Sequence, residues 1–287
     1  MLGVQAWGGA VGEFRLHGNT RNPFTWKLTP PDIPPNNQPG APFRGHFLCQ
    51  GRWGAPTEGK MRAGVPHNSQ SGNVCWQVTR QTATQLVMHS DAPPNGITLE
   101  RNVWMDPNAA VGKVSEMINC KVSFARPFNV VQHVTIGAAF LDASTLIDCN
   151  EGRGFLQAMC YPDPRKYAFA WPTGISDRLR SPLGLHRSDE PFSYVSTHIF
   201  NDSIGWVTAL NSGKKILLGY IWKTADYPWI NILQQWQGTF LWAKGLEFGT
   251  SGIGKSNQDL LAIDSRFDGV PSFFLLDASE QVQKLYV

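Results

Sequence analysis

Short β-prone runs broken by tight-turn signals constrain this chain most. From Val74 onward they follow one another: Val74 to Val78, Gln85 to His89, Ile97 to Met105 and Ala110 to Ile118. Later ones are Phe192 to His198, Ile204 to Leu210, Lys215 to Trp222, Ile230 to Gln237 and Leu260 to Phe267. Pro93-Pro94-Asn95-Gly96 and Asp106-Pro107-Asn108 separate the early runs, the pattern of an antiparallel meander. No segment carries several turns of amphipathic helix; one short helix is expected at Leu241 to Leu246, weakened by Gly245. With 28 Gly and 20 Pro, the composition suits many short elements and argues against a helical bundle.

Many strands in one antiparallel array must close or pack in two layers to protect their faces. The expected fold is therefore all-β, a large antiparallel β-sandwich. The 287 residues allow one large β domain or two modest ones. The breaker-rich stretch Asn22 to Pro42, with Pro30-Pro31, Pro34-Pro35 and Pro39-Gly40, comes too early to divide two viable domains. We read it as a surface excursion or part of a cleft rim in a single domain spanning 1–287. Within Lys113 to Ile118, Val114, Glu116 and Ile118 share one strand face and Lys113, Ser115 and Met117 the other.

Charge narrows the partners. The formal net charge is +3 and the basic residues are dispersed, so nucleic acid is not an expected partner. No stretch approaches the roughly 18 apolar residues that span a bilayer. Met1 to Gly12 lacks the basic-then-apolar order of a secretory signal. A cytoplasmic location is favoured, with a secreted or periplasmic one open if a signal has been removed. Cys49, Cys75, Cys120, Cys149 and Cys160 are odd in number and match no metal or disulfide framework. Buried free thiols are expected, with one disulfide left open. The histidines show no HExxH-like spacing, so neither metal nor other cofactor is expected. Oligomeric state is open.

Tryptophan is unusually frequent, at 11 residues. Indoles fill large β cores, and they also stack on the apolar faces of sugar rings. Trp53, Trp171 and Trp229 adjoin Gly or Pro and are the better ligand platforms. Gly249-Thr250-Ser251-Gly252-Ile253-Gly254-Lys255-Ser256 matches a phosphate-loop pattern, but Asn257 to Leu261 offers little helix to follow it. A ligand-lining turn is the preferred reading.

Four motifs, in order, carry a family resemblance. They are Arg44-Gly45-His46-Phe47-Leu48-Cys49-Gln50-Gly51-Arg52-Trp53-Gly54, Gly64-Val65-Pro66-His67, Asn129-Val130-Val131-Gln132-His133 and Gly245-Leu246-Glu247-Phe248-Gly249-Thr250. Together they resemble the galactose-mutarotase-like superfamily, which includes aldose 1-epimerases and hexose-phosphate mutarotases and folds as a β-supersandwich. The resemblance implies that Arg52 contacts sugar, His67 is the first cleft histidine, His133 is the general acid at the ring oxygen and Glu247 the general base at the anomeric hydroxyl. Two positions depart from the pattern: Asn68 replaces the usual Gly, and Ser71 stands where phosphosugar members carry arginine. Losing a bidentate guanidinium disfavours a sugar phosphate and favours a neutral or uronic sugar. Asp226 is the nearest candidate for the expected acidic sugar ligand, and Lys223 suits a uronate carboxylate or solvent.

Mutarotation removes one proton from the anomeric hydroxyl and delivers one to the ring oxygen, work for a carboxylate and an imidazole on opposite sides of the sugar. His67 and Arg52 would position hydroxyls and stabilise developing charge. Glu247 lies between Leu246 and Phe248, which aims it to the opposite strand face from both. The expected activity is therefore anomer interconversion of an unphosphorylated mono- or oligosaccharide or sugar acid. Another sugar epimerase, isomerase or glycan lyase using the same cleft is one alternative. A non-catalytic carbohydrate-binding protein is the other.

Overall fold

The computed structural model describes residues 1–29, 32–37, 43–51, 53–92, 95–157, 164–175, 183–262 and 266–287. Their strands, in chain order, begin with β1 (Leu2–Val4), β2 (Val11–Phe14), β3 (His46–Gln50), β4 (Gln77–Gln81), β5 (Gln85–Ala92), β6 (Ile97–Met105) and β7 (Gly112–Cys120). Next come β8 (Arg126–Phe128), β9 (Val130–Ile136), β10 (Leu146–Cys149), β11 (Glu151–Leu156), β12 (Phe169–Ala170), β13 (Thr173–Gly174) and β14 (Leu183–Gly184). The last are β15 (Tyr194–Phe200), β16 (Ile204–Asn211), β17 (Ile216–Lys223), β18 (Trp229–Gln237), β19 (Phe240–Gly249), β20 (Phe274–Leu276) and β21 (Gln281–Tyr286). Two short helices, α1 (Glu58–Arg62) and α2 (Asn257–Ala262), interrupt them.

Two large antiparallel sheets result. One has nine strands in the order β1-β2-β3-β9-β19-β18-β15-β11-β12, the other eight in the order β10-β16-β17-β21-β7-β6-β5-β4. The all-β sandwich expected from the turn-punctuated runs is the architecture found. The two sheets are patterned differently. In the eight-stranded sheet β17 alternates strictly between buried and exposed residues, as one wet face requires. In the nine-stranded sheet β9 and the second half of β19 are buried on both faces. Their inner residues Val130, Val134, Leu246 and Phe248 join the core between the sheets. Their outer face is roofed by loops, among them the start of the Pro-rich excursion at Trp26 and the residue just after it, Phe43, both buried. Residues 30–31 and 38–42 of that excursion lie outside the described residues.

Three expectations change. Leu241 to Leu246 is not helical but the middle of β19, because Ala243 and Gly245 pair with Gln235 and Leu233 of β18. Of the strand expected at Leu260 to Phe267, residues 260–262 are instead the end of α2 and Phe267 forms an isolated bridge to Val270; residues 263–265 lie outside the described residues. Its apolar residues Leu260 and Phe267 still bury against the sheet, which strand and short helix achieve equally. The run at Val74 to Val78 is displaced to Gln77–Gln81, an edge strand exposed along its whole length. Cys49, Cys75, Cys120 and Cys149 are free thiols; Cys160 lies outside the described residues.

Candidate functional site

A single cross-strand line organises the outer face of the nine-stranded sheet. Phe47 of β3 lies opposite His133 of β9. The pairs Gln132–Phe248 and Thr135–Gly245 set His133 opposite Glu247 of β19. Glu247 lies opposite Asn231 of β18, Asn231 opposite Thr197 of β15, and Thr197 opposite Phe155 of β11. Strand alternation makes all six side chains share one face. Leu246 and Phe248 point the other way into the core, fully buried.

Apolar clusters flank the polar middle of this line. On one side Trp26, Phe43, Phe47, Cys49 and Val131 pack together with Trp53 against them. On the other, Phe155, Ile199, Trp229, Ile253, Leu260 and Phe267 form a second group. Between them His133 Nε2 stands 3.2 Å from Glu247 Oε1. The imidazole is fixed from two further directions. Its ring stacks on Phe47 at 4.3 Å between centroids, and Nδ1 lies 2.9 Å from Thr135 Oγ1.

Burial controls the protons. It pushes the Glu247 carboxyl up to about 8, toward its neutral form. It also pulls His133 down to about 3, with nearby His67 adding to the depression. The pair therefore holds one proton across both groups near neutrality. With the proton on Glu247, its O–H donates to Nε2 while Nδ1–H donates to Thr135. Either arrangement offers one acid and one base side by side. The Cys49 thiol, beside Glu247, is pushed well up by burial first and by that carboxylate second. It is no nucleophile.

Gly245 makes room for this geometry. A Cβ there would stand 2.6 Å from Glu247 Oε1 and 2.9 Å from Leu233 Cβ. Asn231 adds a polar contact the sequence reading missed. Its Oδ1 accepts from Thr197 Oγ1 at 2.8 Å, while its buried Nδ2 has no hydrogen-bond partner among the described residues. Asn231 and Thr197 lie on strands far from any recognisable motif, so only the register could reveal them; Thr135 lies two residues past the His133 motif on the same strand.

The other candidates are distributed as follows. His67 follows the turn at Gly64, which has φ +81°. Its backbone N–H donates to Asn37 Oδ1 at 3.1 Å, and its ring lies 6.4 Å from Phe43. The excursion thus holds the His67 loop. Trp53 is half-buried at the rim, its indole against Gly254. Trp229 is not an exposed platform: it is fully buried, and its indole N–H donates to Pro271 O at 2.7 Å. Trp171 packs on the core between the sheets, edge-on to His198 at 5.7 Å, and not on this face. Asp226 sits 4.0 Å from Lys284 of the eight-stranded sheet, its carboxyl pushed up by burial. Lys223 is exposed at the end of β17. Neither joins the line of Glu247. Arg52 lies outside the described residues.

The phosphate-loop pattern is a packing device. A Cβ on Gly252 would meet Thr197 Cγ2 and Trp229 at 2.3 Å, and Gly252 O accepts from Gln157 Nε2 at 3.0 Å. The loop lies flat on the sheet beside the site, and the six residues of α2 are a poor anion-binding helix. Among the described residues no three His, Cys, Asp or Glu gather as metal ligands, and no helix is long and apolar enough to cross a membrane.

These features define a two-sheet antiparallel sandwich with a roofed His–Glu pair on its larger sheet, and solved structures share the two-sheet fold. The galactose mutarotase related enzyme from Lactobacillus acidophilus superposes with a TM-score of 0.63 at 11% identity, over 99% of this chain and 92% of that one. A galactose mutarotase-like protein from Clostridium acetobutylicum gives 0.65 at 14%, over 97% and 88%. The aldose epimerase homologue from C. elegans gives 0.63 at 12%, over 99% and 94%. The chain therefore has the galactose-mutarotase-like fold. No protein-family profile matches the sequence, and no curated protein sequence is detectably similar to it.

Proposed function

We propose that this protein interconverts the anomers of a free, unphosphorylated aldose or sugar acid. The observation that carries the reading is the 3.2 Å approach of His133 Nε2 to Glu247 Oε1 on the roofed face. In a hemiacetal the anomeric hydroxyl and the ring oxygen are bonded to the same carbon. The base for one and the acid for the other can therefore stand side by side. Ring opening takes the hydroxyl proton and protonates the ring oxygen; rotation of the aldehyde and reversal of both transfers complete the exchange. One proton shared by two groups supports both transfers without net change. The unpaired Asn231 Nδ2 is placed to donate to a sugar hydroxyl.

The substrate class follows from the departures in sequence. Ser71, at the position of the phosphate-binding arginine, is fully buried and donates to Gln50 Oε1. It offers nothing to a phosphate. Exchange NMR of glucose, galactose, xylose and glucuronate tests the reading, with anomer exchange expected well above buffer for at least one. Glu247→Gln should return that sugar to the buffer rate. If no sugar exchanges faster with the wild type, the reading fails; saturable binding without exchange would leave a carbohydrate-binding protein.

A further inference from the structure

The outer face of the eight-stranded sheet carries a tryptophan in a row of polar residues. Thr98, Glu100, Asn102 and Trp104 of β6 share that face, while the residues between them point into the core. Trp104 is 40% exposed. Its cross-strand partners are Gln85 of β5 and Lys113 of β7, so neither neighbouring strand sets an apolar residue opposite it.

Around the indole lies a shallow hollow of about 530 Å³. It crosses four adjacent strands, β5, β6, β7 and β21, roughly 14 Å at the ordinary strand spacing. The rest of its lining is Gln85, Asn102, Lys113, Ser115, Gln283 and Leu285. The polar groups hold one another in place. Gln85 Nε2 donates to Asn102 Oδ1 at 3.0 Å, and Gln283 Nε2 donates to Ser115 Oγ at 2.7 Å. Asn102 and Ser115 are direct cross-strand partners, so the two bonded pairs lie side by side. These bonds leave the Gln85 and Gln283 carbonyls as acceptors, and the Asn102 amide, Ser115 hydroxyl and Lys113 ammonium as donors.

We propose that this hollow binds a short oligosaccharide, at a site separate from the His133–Glu247 pair and without chemistry of its own. A sugar ring has an apolar C–H face to lay on the indole and hydroxyls that both donate and accept. The pinned amides meet those hydroxyls with their ordering already done. A polypeptide strand fits less well, because β6 is paired along its length on both sides and offers no edge to extend. A purely apolar ligand would find only Trp104 and Leu285. Among the described residues the lining holds no carboxylate or imidazole to move a proton. The proposal does not depend on the anomer reading, which concerns the other sheet.

The test titrates the full chain with cellotriose, mannotriose, xylotriose and trigalacturonate, by calorimetry and by NMR of the side-chain amides. At least one should bind saturably and shift the Asn102, Gln85 and Gln283 amide signals. Trp104→Ala should weaken that sugar by roughly tenfold or more and leave anomer exchange at the wild-type rate. Asn102→Ala, which also lies off the core, gives the same readout if Trp104→Ala folds poorly. Glu247→Gln should bind the sugar as the wild type does. Failure of all four sugars overturns the proposal, as does binding that both Trp104→Ala and Asn102→Ala leave unchanged. Binding that Glu247→Gln abolishes would also overturn it and assign the sugar to the roofed face alone.

Discussion

Glu247 shows what burial demands of one side chain. Its carboxyl ordinarily titrates near 4.5 and is raised to about 8 here. Between those values the folded chain keeps a Glu247 proton that the unfolded chain releases, so this group's contribution to stability falls as pH rises across the window and levels off above it. Glu247→Gln removes this loss. Thermal melts should show the variant gaining on the wild type from about pH 5 to about pH 8, by a few degrees. Anomer exchange should vanish in the same variant, a trade of stability against activity. The proton count of the pair also sets the pH profile. Exchange should be flat through neutrality and decline above about 8, where Glu247 loses the shared proton and His133 is already neutral. A rate that keeps climbing past that point would contradict the one-proton pair. Gly245→Ala places a methyl group 2.6 Å from Glu247 Oε1. It should cost about 1–3 kcal/mol and displace the carboxylate. Urea unfolding and exchange NMR on the same sample separate the two effects.

At the scale of elements, β19 carries the most. Its ten residues serve the core with Leu246 and Phe248 and the site with Glu247 on alternate sides. Motif and alternation were enough to aim Glu247 correctly. The helix expected at its start fails because cross-strand pairing with β18 supplies hydrogen bonds that a six-residue helix cannot match. The loop after β19 depends on Gly252 lying against Thr197 and Trp229 at 2.3 Å from a would-be Cβ. Gly252→Ala should destabilise by about 1–3 kcal/mol in urea unfolding. It should also weaken anomer exchange, because Thr197 orients Asn231.

Across the whole molecule, the two sheets are joined by buried polar groups as well as apolar ones. Arg101 pairs with Glu116 at 2.6 Å, both fully buried, and its guanidinium lies 4.8 Å over the Trp76 ring. Glu116 accepts from Gln132 Nε2 at 2.6 Å across the interface, and the same nitrogen donates to Tyr227. Gln132 Oε1 therefore accepts from His46 Nε2, leaving His46 Nδ1 to accept from Tyr220. Burial holds His46 neutral, down to about 3. Arg101→Met alone leaves the buried Glu116 without its ion-pair partner, and should cost about 3–5 kcal/mol. Adding Glu116→Leu should recover part of that in denaturant melts while anomer exchange stays at the wild-type rate. The charged pair lies on the opposite side of the nine-stranded sheet from Glu247.

Local chemistry in the sequence determined the all-β class, most strand positions and the sides to which Glu247 and Leu246 turn. Those follow from turn residues and a two-residue period, which act over a few positions. Which strands become neighbours is a long-range matter. Register alone set His133 beside Glu247, added Asn231 and Thr197, buried Trp229 and sent Asp226 to Lys284. Exposure of a tryptophan beside a glycine or proline, likewise, depends on what the rest of the chain lays over it. Composition cannot encode that, because the covering residues come from distant segments brought together only by packing.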